Sequence, residues 1–131
     1  METQLRAALI DWLRADPALA DLLNAVAAEA PSRATPPWLG IAASASADWS
    51  TKDRAGREVR VALELHCQGD DPATPAAAVD AIEARVQALP RSQPGCEIAT
   101  TTFLRARAEQ RPANTRAVLL EYRFRLLSTE N

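Results

Sequence analysis

Two stretches with strict two-residue alternation, joined by a short charged turn, limit this chain more than anything else in it. From Glu58 onward, Val59, Val61, Leu63, Leu65 and Cys67 fall on one side of an extended chain, while Glu58, Arg60, Glu64, His66 and Gln68 fall on the other. Upstream, Leu39, Ile41, Ala43, Ala45, Ala47 and Trp49 alternate with Gly40, Ala42, Ser44, Ser46 and Asp48, which makes a strand with a smaller inner face. The segment between them, Ser50-Thr51-Lys52-Asp53-Arg54-Ala55-Gly56-Arg57, is rich in turn formers, and Gly56 is free to take a positive φ. The pair is expected to be a long antiparallel hairpin.

Helical stripes lie on either side of it. Leu5, Ala8, Leu9, Trp12 and Leu13 recur at three-and-four spacing. Asp16-Pro17 breaks that helix, with Asp16 placed to cap a second one carrying Leu19, Leu22, Leu23, Val26 and Ala27. Pro31 to Pro37 holds three prolines and reads as a loop. After Gly69-Asp70-Asp71-Pro72, Thr74-Pro75 opens a helix whose inner face is Val79, Ile82, Val86 and Leu89, with Asp80, Glu83, Arg85 and Gln87 outside. Pro90 to Gly95 is a loop and takes Cys96 with it. In the next strand, from Glu97, Ile98, Thr100, Thr102 and Leu104 oppose Thr101, Phe103, Arg105 and Arg107. A turn at Arg111 to Thr115 leads to the strongest ladder, Val118, Leu120, Tyr122, Phe124 and Leu126. The expected fold is α+β: a mainly antiparallel four-stranded sheet with helices on one face, in the order α-α-β-β-α-β-β, as one domain spanning 1–131.

Composition narrows the function. With 47% hydrophobic and 24% charged residues the chain has the balance of a soluble globular protein, and a net charge of -2 disfavours a phosphate-tracking surface. No apolar run reaches membrane-spanning length and no signal peptide is evident, so the protein is expected to be made and kept in the cytosol. Two cysteines are no disulfide framework; Cys67 and Cys96 read as reduced thiols, Cys67 as a small core residue.

No catalytic constellation emerges. His66 is the sole histidine and points away from Cys67 across the same strand, so neither a Cys-His pair nor an N/S metal site has its ligands; His66 reads as a solvated outer-face residue. The carboxylates of Glu58, Glu64 and Glu121 alternate with arginines and read as cross-strand charge pairs, Arg60 with Glu58 and Arg123 and Arg125 with Glu121. No phosphate-binding glycine loop, nucleophile elbow or cofactor motif is present, so no metal and no cofactor are expected. The unusual feature is the surface. Fourteen arginines stand against one lysine, Lys52, with Phe103, Leu119 and Leu127 among them on the outer strand faces, the composition of a protein interface or of a codon bias toward arginine. Trp49 at the hairpin tip is a contact anchor or a cover for the core edge.

Asp48-Trp49-Ser50-Thr51-Lys52-Asp53-Arg54-Ala55-Gly56 followed by a charged alternating strand resembles the central segment of the small tail-completion, or tail-terminator, proteins of long-tailed phages and gene transfer agents, the DUF3168 family. The leucine-striped segment Leu5 to Leu23 with Asp16-Pro17, the helix Val79 to Leu89 and the closing strand Val118 to Leu127 match the same layout, so the resemblance covers nearly the whole chain; Cys67-Gln68 departs from the aromatic often found there. The resemblance implies a non-enzymatic structural protein of a virion or phage-like particle, assembled in the bacterial cytoplasm. It would form a homo-oligomeric, commonly six-fold, ring at the head-proximal end of the tail tube, stop tube growth and join the head connector. Partners would be further copies, the tail tube protein and the head-tail connector protein, with no membrane and no specific nucleic-acid binding, though DNA would pass through the ring. The implied contact residues are Trp49, Lys52, Asp53, Arg54, Arg57, Phe103, Arg105, Arg123 and Arg125, and alanine at Trp49 and Arg54 would leave a folded monomer that no longer caps tails. The alternatives are a cytosolic α+β adaptor or binding module without a phage role, and a small enzyme working through Cys67 or Cys96.

Overall fold

The computed structural model describes residues 1–29, 34–70 and 72–129; Pro31, Ser32 and Arg33 of the expected proline loop, and Asp71, lie outside them. The chain runs α1 (Glu2–Arg14), α2 (Pro17–Leu22), β1 (Ala25–Ala27), β2 (Trp38–Asp48), β3 (Gly56–Gln68), α3 (Ala73–Gln87), β4 (Ser92–Gln93), β5 (Cys96–Arg111) and β6 (Thr115–Ser128). One six-stranded sheet has the order β1-β2-β3-β6-β5-β4. Every pair is antiparallel except the edge pair β1 and β2, which is parallel.

The expected α+β class holds, and the expected four strands are the four long ones. The two additions are short edge strands. Val26 and Ala27 were expected to extend the second helix, but α2 ends at Leu22 and Leu23 is extended, so these two residues pair with Leu39 and Gly40 instead. A helix of six residues gains little from its own hydrogen bonds, and pairing with a waiting sheet edge outweighs the apolar stripe. At the other edge, Ser92 and Gln93 leave the expected loop to pair with Glu97 and Cys96. Cys96 is therefore not a loop residue; it starts β5 and is buried.

The leucine stripes do what their spacing dictates. Leu5, Leu9, Ile10 and Leu13 of α1, Leu19 of α2, and Ala78, Ile82 and Val86 of α3 form one cluster with Val59, Val61, Leu63, Leu65 and Cys67 of β3 and Leu120, Tyr122, Phe124 and Leu126 of β6. Asp16 caps α2 by accepting a hydrogen bond from the Ala18 N–H, with Pro17 at the first helical position. α3 begins at Ala73, one residue before the expected Thr74-Pro75 start. The helices are joined by a reciprocal clamp. Trp12 Nε1 donates to the Arg85 carbonyl at 2.7 Å, Arg85 Nε donates to the Trp12 carbonyl at 2.8 Å, and the guanidinium lies 3.4 Å from the indole centroid. Arg85 is thus packed against α1 rather than left outside.

Candidate functional site

The sheet face away from the helices and the tip of the β2–β3 hairpin carry most of the residues singled out in the sequence. The tip is built by its own hydrogen bonds. Trp49 N–H donates to the Gly56 carbonyl at 3.0 Å, Thr51 N–H to the Arg54 carbonyl at 2.9 Å, and Gly56 N–H to Ser50 Oγ at 3.0 Å. Gly56 does not take a positive φ; it is required because a Cβ there would meet the Trp49 carbonyl oxygen at 2.3 Å and that of Leu126 at 2.9 Å. Lys52, Asp53 and Arg57 are exposed on this tip. Trp49 is half-buried, with the Arg125 guanidinium 5.4 Å from its ring centroid.

Arg54 is turned inward. Its Nε and Nη2 both donate to the Ser128 carbonyl, at 3.0 and 2.9 Å, while Ser128 N–H donates to the Ala55 carbonyl at 2.8 Å. The residue staples the hairpin to the end of β6. Its replacement would loosen the fold as well as the surface, so alanine at Arg54 is not the clean surface change expected of it.

The charge pairs exist in a different pattern from the one anticipated. Glu58 is served by Arg125 at 3.1 Å and Arg123 at 3.8 Å, across the β3–β6 register that sets it opposite Arg125. Glu121 instead pairs with Arg105 on the other neighbour, β5, which stands directly opposite it. That guanidinium draws the Glu121 carboxyl below the usual carboxylate range, first by its hydrogen bond, and Glu121 in turn raises Arg105. Glu64 takes Arg111 at 3.2 Å. Alternation along single strands gets the partners wrong because they are set by the strand order β3-β6-β5; β5 carries bulges between Ile98 and Thr100 and between Phe103 and Arg105. The bulges correct Phe103. It stands opposite Tyr122 and packs edge-on to it, ring centroids 5.6 Å apart, on the helix-side face beyond the helices' cover. Phe103 and Leu104 are the large hydrophobic residues left exposed among the described residues.

His66 is half-buried on the outer face rather than freely solvated. It stacks on Trp38 with centroids 4.9 Å apart and planes 6° from parallel, and its Nδ1 lies 3.9 Å from Glu64. Trp38, the first residue of β2, is buried. Among the described residues no group of three His, Cys, Asp or Glu side chains is placed to hold a metal ion, and no helix is long and apolar enough to cross a membrane. Cys67 and Cys96 are both buried, and burial pushes the Cys96 thiol up. The arrangement is a broad surface of ion pairs with exposed apolar residues at one border.

The model of the tail completion protein gp17 family matches residues 7–127. The chain belongs to that family. As a tail completion protein it is a structural component of a phage-type tail, and the family is not an enzymatic one. No curated protein matches it. A chain in the solved virion of a native gene transfer agent particle is similar over 96% of both chains, with a TM-score of 0.84 and 25% identity.

Proposed function

We propose that this tail completion protein is the subunit of a closed ring, commonly six-fold in such proteins, at the head-proximal end of the tail tube, where it stops tube growth and presents a surface to the head connector. The observation that carries the reading is the likeness, from end to end, to a chain of a gene transfer agent virion, together with the family match. A ring requires heterologous contacts that close, because a rotation that fails to close makes a filament. The surface suits that task. The hairpin tip offers Trp49, Lys52, Asp53 and Arg57, the outer sheet face offers Arg105, Arg123 and Arg125, and Phe103 stands exposed at the β5 border on the helix-side face; arginine and aromatic groups are both enriched at protein interfaces. The Glu58 and Glu121 ion pairs hold the strand arginines in fixed orientations, which lowers the entropy lost on docking.

The test is tube growth. Purified tube protein polymerising in the presence of the chain should stop at a defined length and scatter light at a plateau. The variant W49A/K52A/R57A, which leaves the Arg54 staple intact, should remain folded and allow tubes to elongate. Unrestricted growth with the wild-type chain would refute the reading and favour an adaptor role.

A further inference from the structure

The sheet ends in two long unpaired borders. β1 covers β2 only at Trp38 to Gly40, and β4 covers β5 only at Cys96 and Glu97. Among the described residues no strand lies beside Ala42 to Asp48 of β2 on the side away from β3, or beside Thr100 to Arg111 of β5 on the side away from β6. Open edges of this length are templates for another strand, and soluble proteins ordinarily blunt them. Here one is lined by alanine and serine and the other by exposed Phe103 and Leu104.

The hydrogen-bond directions can be followed along each edge. Trp49 N–H donates to Gly56 on β3, so alternate residues of β2 toward its start, Ala47, Ala45 and Ala43, face β3, and Ser44, Ser46 and Asp48 face outward. On β5, Ile98 N–H donates outward to the Arg91 carbonyl, and the two bulges that follow cancel in parity, so Ala106, Ala108 and Gln110 also face outward. The faces agree as well. Ser44 and Ser46 stand opposite Val61 and Val59, while Ala106 and Ala108 stand opposite Leu120 and Val118. The outward residues of both edges therefore lie on the helix side of the sheet. A hydrogen-bonded antiparallel pair needs this match, and the even number of antiparallel strands from β2 to β5 supplies it.

Resting on the ring reading, we infer that ring subunits join edge to edge: the free part of β2 in one copy pairs antiparallel with the free part of β5 in the next, and the sheets run on as one. Direction permits it. β2, β3, β6 and β5 alternate, so a β5 placed beside β2 continues the alternation. Setting Ser46 opposite Ala106 and Ser44 opposite Ala108 brings Asp48 level with Leu104, while Ala47 and Ala45, on the same face as Arg105 and Arg107, oppose no charge to them. The same alignment clears β1 and β4, which block opposite ends of the two edges. It also staggers neighbouring sheets along the strands, as closure into a barrel demands.

Two proline variants test the join without touching the ladders inside a subunit, because each removes only an outward N–H: Ser46→Pro and Ala106→Pro. Both should keep the wild-type circular dichroism and stay monomeric alone under conditions where the wild type forms rings with tail tubes. Each retains one good edge, so an equimolar mixture should give a heterodimer by mass photometry and no ring. The double variant S46C/A106C, which keeps every donor, should form disulfide-linked multimers on oxidation. Rings from either proline variant, a mixture that stays monomeric, or no cross-linking of the cysteine variant would overturn the edge join while leaving the ring reading standing. A wild-type chain that forms no ring on tubes would remove the ring reading itself.

Discussion

Replacing Gly56 by alanine puts two effects of opposite sign in competition. In a strand interior, alanine ordinarily gains about 0.5–1 kcal/mol over glycine, because glycine loses more backbone freedom on folding. Here the added Cβ would lie 2.3 Å from the Trp49 carbonyl oxygen and 2.9 Å from that of Leu126. Neither obstacle is a flexible side chain. Trp49 is tied to Gly56 itself by its N–H, and Leu126 sits in the β3–β6 ladder opposite Arg57. Overpacking of fixed neighbours costs about 1–3 kcal/mol, and two backbone atoms place this site at the upper end. The net expectation is a loss of about 2 kcal/mol. With a urea dependence of about 1.5 kcal/mol per M for a domain of this size, the unfolding midpoint should fall by about 1.3 M at unchanged slope. An unchanged or raised midpoint would show that the hairpin tip yields freely and that the close approach is not what fixes glycine there.

The Tyr122 phenol is buried without a hydrogen-bond partner among the described residues, and burial drives its pKa well above the ordinary tyrosine range. Since the folded pKa exceeds the unfolded one, the Tyr122 contribution to stability is constant below about pH 10 and falls as pH rises beyond it; Tyr122→Phe should flatten that alkaline loss and be neutral or slightly stabilising at pH 7, checked by thermal melts at pH 7 and pH 11. Arg85→Ala removes a stacked cation and a donor to the Trp12 carbonyl and should cost about 1–2 kcal/mol by urea unfolding, with Arg85→Lys recovering little because an ammonium cannot stack as a plane. Neither Cys67 nor Cys96 should react with a thiol reagent within minutes at pH 8 while the chain is folded, and both should react on denaturation; rapid labelling of either would revive an enzymatic reading.

The four long strands, the apolar stripes of α1 and α3 and the Asp16-Pro17 break were legible because each expresses a local rule: a period of two, a period near 3.6, or a cap. What escaped is not local. Val26 and Ala27 fit a helical stripe, and only the waiting edge of β2 makes them a strand. Alternation fails once along β2, where a bulge between Ile41 and Ala43 turns Ala43, Ala45 and Ala47 to the outer face, and twice along β5; a bulge shifts every later residue to the other face, and nothing in Ile98 to Arg105 marks where the extra residue sits. The acidic and basic residues of the outer face were recognised, but the partners Glu58–Arg125 and Glu121–Arg105 depend on strand order, β3-β6-β5, which no single strand encodes. Trp49 was rightly placed at the hairpin tip, whereas the inward turn of Arg54 rests on Ser128, 74 residues away.

The central claim is that this chain's exterior is for docking to copies of itself and to a tube. Cryo-electron microscopy of tail tubes mixed with the purified chain tests it most directly. A closed ring of subunits should be seen at one end of each tube, sheet edges adjoining around the lumen. Tubes with bare ends and the chain remaining monomeric in solution would contradict it.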